Sequence, residues 1–324
     1  MVKILNAKAI DLSIIVVAYN VRELCDECFR AIRASKDTLT KEILFVDNGS
    51  VDGTADHVAK HFPEVTLIRS PTNLGFIRAN NLAYSQAKGK YILMLNSDAF
   101  VTENTLQKTV DFMRQHAETG VVGARLVGRD GVLQPSARYF PTPLKTFLNQ
   151  VGLLGKVPFV GLLDDLTWDH KSVRDCDWVV GCYLLTRKDL VDSMGFFLRE
   201  DFFMYNDDND LCFRIKKLGY KVTYYPVDCI HLGGATAKKM GRTSKAGTQV
   251  EKFQIESQTI YYRKNYHWGV VVWNLFLMEL YDLLTLIKKL LFMKRDPPFK
   301  DLFGHMALVW SIHVKTSLGS KSIH

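Results

Sequence analysis

Short apolar runs, each followed by a helical pattern, fill the first hundred residues and leave few folds open. Leu12–Ala18 is a continuous, largely β-branched run, which predicts a strand buried on both faces. Arg22–Ser35 follows with apolar side chains at helical spacing (Leu24, Cys28, Ala31, Ile32). Glu42–Val46 reads as a second strand, Asp52-Gly53-Thr54 as the opening of a second helix, and Val65–Ile68 as a third strand. Arg78–Ala87 is a third helix and Tyr91–Leu95 a fourth strand. Such alternation predicts an α/β fold, a mostly parallel sheet flanked by helices. Sheets of this kind bind ligands beyond the carboxyl ends of their strands. Here those ends are Tyr19-Asn20, Asp47-Asn48, Ser70 to Asn73, and Asn96-Ser97-Asp98. Polar ends on apolar strands suit a ligand rim, and turn-forming Asn and Asp give the same pattern without one.

Residues 126–176 carry Pro135, Pro141, Pro143 and Pro158 and few clean periods, the pattern of a loop-rich insertion. Beyond it, Trp178–Thr186 predicts a strand, Lys188–Met194 a short helix, and Asp210–Leu218 a helix stopped by Gly219. Lys221–Tyr225 predicts a strand stopped by Pro226. Trp268–Met293 reads as a long helix. Asn274, Glu279, Asp282, Thr285, Lys288 and Lys289 fall on one half of its wheel, and Trp273, Phe276, Leu277, Leu280, Leu284, Ile287 and Leu291 on the other. Glu279 and Asp282 sit mid-run, which argues against a membrane span. An amphipathic helix with a cationic end (Lys288, Lys289, Lys294, Arg295) suits a membrane interface, packing on the rest of the chain or another subunit. His305–Ser317 predicts a second such helix.

Composition narrows the class. With 47% apolar residues in 324, the chain packs a core and is not disordered. Residues 1–235 balance 28 Lys and Arg against 28 Asp and Glu, whereas residues 236–324 hold 14 against 6, so the whole net charge of +8 lies in the tail. A basic tail behind a neutral body points to an anionic surface, nucleic acid or phosphorylated substrate, or to a solvated face. No secretory signal pattern opens the chain, so a cytoplasmic setting is expected. Cys25 and Cys28 form a lone CxxC that cannot close a tetrahedral zinc site; it reads as inert. The sequence contains no GxxxxGK[ST], no GxGxxG after the first strand and no GxSxG elbow. Their absence weighs against P-loop kinases, dinucleotide oxidoreductases and α/β-hydrolases.

Three polar clusters can carry chemistry. Asn96-Ser97-Asp98 ends a strand and offers oxygen ligands to a hard divalent cation. Asp207-Asp208-Asn209-Asp210 crowds three carboxylates at a helix start. The helix dipole accommodates one or two of them, and crowding can raise one towards a general base. His231, in Ile230-His231-Leu232-Gly233-Gly234, is structural or a ligand.

Taken in order, SIIVVAYN, ILFVDNGSVDGT, NLGFIRANN, YILMLNSD, FFMYNDDNDLCFRIKKLGY and HLGGAT resemble the inverting GT-A glycosyltransferases of family 2. Among these the chain looks most like rhamnosyltransferase-type members, over roughly residues 10–237. The resemblance implies a GT-A catalytic domain over 1–237, with a nucleotide-binding part near 10–125 and an acceptor part near 126–237. A basic helical region then covers 238–324. It implies that Tyr19, Asn20, Asp47, Asn48, Asn73, Gly75, Arg78, Asn80 and Asn96 line the nucleotide and sugar. Asp98 and His231 would meet Mg²⁺ or Mn²⁺, Asp208 would be the catalytic base, and Trp178, Gly181 and Asp207 would belong to the acceptor and sugar wall. Two departures stand out: Asn96 replaces the first carboxylate of the DxD motif, and Asp207 replaces the usual Glu before the base.

The implied reaction moves a sugar, with dTDP-rhamnose the favoured donor, to a hydroxyl of a glycan or lipid-linked glycan in cell-surface polysaccharide assembly. A UDP-hexose or HexNAc donor is the alternative within the fold. Implied partners are an anionic membrane surface and a second copy through the C-terminal helices, with no nucleic acid. A nucleotidyltransferase would need a Gly-rich basic loop after the first strand, which Ala18-Tyr19-Asn20-Val21 does not supply. A non-catalytic module at the membrane surface is the other alternative.

Overall fold

The computed structural model describes residues 9–233, 249–292 and 299–324. The alternation is present: β1 (Leu12–Ala18), α1 (Arg22–Ala34), β2 (Lys41–Asp47), α2 (Thr54–His61), β3 (Val65–Arg69), α3 (Phe76–Tyr84) and β4 (Tyr91–Asn96). Next come β5 (Ala99–Val101), α4 (Thr105–Gln115), β6 (Thr119–Val127), β7 (Leu133–Gln134), β8 (Ala137–Arg138) and α5 (Pro143–Gln150). They are followed by β9 (Arg174–Cys176), β10 (Trp178–Val179), β11 (Tyr183–Arg187), α6 (Lys188–Ser193), α7 (Asp207–Lys217) and β12 (Lys221–His231). Three further helices close the described chain: α8 (Gln249–Asn265), α9 (Trp268–Phe292) and α10 (Phe299–Lys315).

The main sheet runs β3-β2-β1-β4-β11-β6-β12-β5. Its first four strands are a parallel block; β12 lies parallel to β6, with β11 inserted antiparallel between β4 and β6. Strand alternation divides the core. Leu12, Ile14 and Val16 pack with α1 and α4 through Phe29, Ile32, Leu106 and Val110. Ile15, Ile92 and Met94 face the opposite side, with Ile77, Leu211 and Ile215 from α3 and α7. Helix α8 joins that second layer through Ile260, Tyr261 and Tyr262, all fully buried. The C-terminal region therefore begins inside the core beneath the main sheet. Cys25 and Cys28 are buried on α1, and burial pushes both thiols up, away from the reactive thiolate.

Several elements differ from the expectation. The strand expected over Trp178–Thr186 breaks into β10 and β11, because the chain turns at Val180-Gly181-Cys182 towards α7. Helix α7 begins at Asp207, three residues before the expected Asp210. Pro226 does not stop β12: the strand runs on to His231 across a register shift between Tyr225 and Asp228, a bulge that removes the need for the missing N–H. Helix α5 lies within the stretch expected to be loop-rich.

Helix α9 keeps its two faces but turns most of the polar one inward. Asn274 and Asp282 are buried, as is Leu277 from the apolar half, while Trp273, Phe276, Leu284, Ile287 and Leu291 face outward. Asp282 is satisfied by His305 of α10, whose Nδ1 lies 2.8 Å from Asp282 Oδ2. A small core of Ile255, Leu275, Val309 and Ile312 binds α8, α9 and α10 together. By length and composition Trp268–Leu291 could cross a membrane, yet only 28% of its most apolar window is buried. Lys294 and Arg295, part of the expected cationic end, lie outside the described residues.

Candidate active site

The carboxyl ends of the parallel block form one rim. Ala18 pairs in register with Asp47, and Val17 with Asn96, so three of the expected polar ends are adjacent. Side chains then tie the loops beyond them. Asn20, held at a positive φ of 55°, donates its N–H to Ser50 Oγ at 2.9 Å and accepts from Val51 N at 2.8 Å through Oδ1. Asn48 donates through Nδ2 to Asn73 Oδ1 and accepts from Leu74 N, and Asn73 Oδ1 also accepts from Gly75 N. Gly49 at this junction cannot carry a side chain: a Cβ would sit 2.8 Å from the Thr72 carbonyl carbon.

The expected nucleotide residues thus divide. Tyr19 is half-buried at the end of β1. Asp47 is buried, accepts from Ser50 N through Oδ2, and leaves Oδ1 without a partner among the described residues; an orphaned acceptor on a ligand rim suits a donor group on a ligand. Asn48 and Asn73 spend their amides on the loop itself. Asn80 is buried in α3 with Nδ2 donating to Phe76 O, so it braces the helix rather than presenting that nitrogen to the cleft. Arg78 is exposed, with Nε 3.8 Å from Glu200. Gly75, at φ 80°, lies against the Phe203 ring.

Around Asp98 the donor set is oxygen-rich. Asn96 Oδ1 is buried with no partner among the described residues. β12 brings His231 opposite Ala99, and its Nε2 lies 3.7 Å from Asp98 Oδ1. Burial pulls the His231 proton affinity down, against the upward pull of Asp98. A neutral imidazole facing a carboxylate suits a divalent cation. Mg²⁺ and Mn²⁺ take such donors, and Mg²⁺ is usually held by one or two protein carboxylates with substrate phosphates completing the sphere. Among the described residues no three His, Cys, Asp or Glu side chains converge on one point, so any such site relies on the substrate.

The acidic trio at the start of α7 separates into distinct roles. Asp210 is fully buried and neutralised: Arg199 Nε lies at 3.2 Å, Arg214 Nε at 2.8 Å, and Asn265 of α8 donates at 2.7 Å. Asp208 accepts from Gly181 N at 2.9 Å and from Asn209 N at 2.8 Å. Asp207 is pushed up to about 8, first by burial and then by the charge of Asp208. Burial also raises Asp208, opposed by its two N–H donors and by the nearby Arg138 charge. Both carboxyls are thus held above the ordinary carboxylate range, and Asp207, at about 8, keeps its proton at neutral pH.

Gly181 brings the two halves of the site together. Its N–H holds Asp208, and a Cβ on it would come within 3.2 Å of Asp208 Cβ. Next to it, Cys182 O accepts from Asn96 N. Burial first, and then the charges of Cys229, Asp98 and Asp208, push the Cys182 thiol up. Trp178 donates Nε1 to Tyr139 O, under the Arg138 guanidinium 5.3 Å from its ring. Directly before Asp207, Tyr205 and Asn206 hold positive φ values of 70° and 60°, a strained corner of the kind that gathers at functional sites. The Met204 carbonyl is held by Ser257 Oγ of α8 at 2.6 Å. Sequence reading missed Arg138, Ser257 and Gln134, which accepts from His231 Nδ1; each acts through long-range contacts and sits in no motif.

Comparison with known proteins agrees with this geometry. The sheet, its rim and the polar strand ends are those of the GT-A glycosyltransferase fold. The model of "Glycosyl transferase family 2" matches residues 13–161. The chain is 27% identical over 199 residues to the N-acetylglucosaminyl-diphospho-decaprenol L-rhamnosyltransferase of Mycobacterium tuberculosis, covering 57% of this chain and 64% of the relative's length. It is 24% identical over 226 residues to the low-salt glycan biosynthesis hexosyltransferase Agl10 of Haloferax volcanii, covering 68% of this chain and 67% of that one. A solved mannosyltransferase from Pyrobaculum calidifontis, in complex with GDP-Man and Mn²⁺, shares the fold at a TM-score of 0.54 and 16% identity, over 94% of this chain and 86% of that one. Staphylococcus aureus TarS (residues 1–349) matches at 0.51 and 15%, over 94% and 92%.

Proposed function

We propose that the chain is an inverting glycosyltransferase that moves a sugar from a nucleotide-diphosphate donor to a hydroxyl of a glycan or lipid-linked glycan. The observation that carries this reading is the placement of Asp208. It is held by the N–H groups of Gly181 and Asn209, and Cys182, next to Gly181, takes the N–H of Asn96 at the strand end that carries Asp98. Asp208 accepts the proton of the acceptor hydroxyl as that oxygen attacks the anomeric carbon from the face opposite the leaving nucleotide. Asp207, protonated beside it, keeps a second negative charge from building up in the same pocket. Asp98, His231 and Asn96 would hold Mg²⁺ or Mn²⁺, which when bound neutralises charge on the departing diphosphate. The rim of Tyr19, Asp47 and the braced 73–75 loop binds the nucleotide. Likeness to the mycobacterial rhamnosyltransferase favours dTDP-rhamnose as donor.

The outward apolar stripe on α9 supports peripheral binding to an anionic membrane surface, where a lipid-linked acceptor would lie. Trp273 and Phe276 stack at 5.4 Å and are about half exposed, with Lys288 exposed at the far end. Interfacial helices bind through such a face with help from Lys and Arg. Replacing Trp273 and Phe276 by Glu is expected to abolish flotation of the full chain with anionic liposomes. Stability should change by only about 0.5 kcal/mol, as for surface sites. Flotation equal to wild type would remove the membrane from the reading.

The transfer reaction itself is tested by Asp208→Asn. Turnover of dTDP-rhamnose with a lipid-diphosphate-linked N-acetylglucosamine acceptor is expected to collapse while donor binding persists. A variant that still turns over at the wild-type rate would sink the assignment.

A further inference from the structure

Gln134 of β7 grips His231 twice. Its Nε2 donates to the His231 carbonyl at 2.8 Å, and its Oε1 lies 2.8 Å from His231 Nδ1. A carbonyl can only accept, so that contact decides which end of the glutamine amide is nitrogen. The other end is then an oxygen, which also only accepts, and Nδ1 must carry the proton shared with it. In the neutral ring this leaves Nε2 as a bare lone pair. Nε2 faces Asp98 Oδ1 at 3.7 Å, in a pocket where the two side chains are 13% and 9% exposed. Two acceptors confined this closely repel unless a cation lies between them.

We propose that Gln134 is a positioning residue, which locks His231 as its Nδ1–H tautomer and so presents Nε2 together with Asp98 to a divalent cation. This rests on the reading of Asp98 and His231 as a metal-binding pair. Gln134 itself touches neither metal nor substrate. It works through the imidazole, as partners of metal-bound histidines commonly do, and losing such a partner typically weakens metal binding about 10–100-fold.

The test has two readouts, neither of them turnover. In the metal-free full chain labelled with ¹⁵N-histidine, NMR is expected to show His231 protonated at Nδ1 and bare at Nε2, the resonance being assigned by its loss in His231→Phe. Binding of Mn²⁺ alone, followed by EPR, is then compared in wild type, Gln134→Met and Asp98→Asn. Gln134→Met should lose the tautomer preference and bind Mn²⁺ about 10–100-fold more weakly, and Asp98→Asn should also bind weakly. A wild-type His231 protonated at Nε2, alone or with Nδ1, overturns the proposal, and that result needs no variant to fold. Gln134→Met binding Mn²⁺ as tightly as wild type overturns it as well. If Asp98→Asn binds as tightly as wild type, the metal pair itself is wrong and the proposal falls with it, whereas a loss confined to Asp98→Asn leaves the pair standing and rejects Gln134 alone.

Discussion

Helices α7 and α9 both carry clustered carboxylates, and they resolve the same electrostatic problem in opposite ways. On α9, Asp282 is buried and bound to His305, with Glu251 of α8 3.4 Å from the other ring nitrogen; the charge is answered and the site is closed. On α7, only Asp210 is answered, by Arg199 and Arg214. Asp207 and Asp208 are left with backbone donors. Two neighbours on one helix turn thus differ from Asp210 in function because the arginines reach only one of the three. A buried carboxylate pair with only backbone donors and the nearby Arg138 charge to offset it is costly, and the proposed base is one of the two.

The largest effect should come from Asp208→Asn, a loss of about 10²–10⁴-fold in kcat with little change in donor affinity, read by steady-state kinetics and equilibrium binding. Next, Asp210→Ala strands Arg199 and Arg214 and should cost about 3–5 kcal/mol of stability, measured by urea unfolding. If it instead lowers turnover in a folded protein of normal stability, the division of roles within α7 is wrong. His305→Gln should cost about 1.5–3 kcal/mol, the worth of a hydrogen bond to a charged group, in a pH-dependent way. Asp282 holds the His305 proton affinity above its ordinary value of 6.5. Its stabilisation is therefore complete below that pH and fades as pH rises through the higher folded value. A deficit that does not shrink at alkaline pH would show that His305 acts through packing.

The smallest kinetic effect is expected from Asp207→Asn. With Asp208 as the proposed base, the acid limb of the kcat profile should stay where it is. Stability should respond instead. The folded chain keeps a proton that the unfolded chain releases near 3.8, so wild type loses stability as pH rises from there to about 8. The variant should lack that slope in unfolding experiments across the same range. An acid limb displaced in Asp207→Asn would make Asp207 the working base.

The nucleotide half was legible because its signals are local. β-Branched runs mark strands and the Asn and Asp that follow them mark strand ends, and registers such as Ala18 with Asp47 need no distant partner to be guessed. The start of α7 was legible in part: the three carboxylates read as a helix start, but the Gly181 N–H that holds Asp208 lies far away in sequence. The wheel of α9 separated two faces correctly, but nothing in it says which is inside; His305, on another helix, decides that. Pro226 looked like a stop because a single sequence does not reveal a bulge. Gln134 carries no pattern at all, and its meaning comes only from the strand that lies beside it.

The corner at Tyr205 and Asn206 has a consequence for anyone wishing to harden this protein against heat. A left-handed tyrosine costs of order 1–3 kcal/mol, and glycine would take the same backbone angle freely. Yet that rigid elbow, braced through Met204 by Ser257, aims the carboxylate two residues further on. Durability and speed are set against each other at this one bend, and selection for either would leave its mark there first.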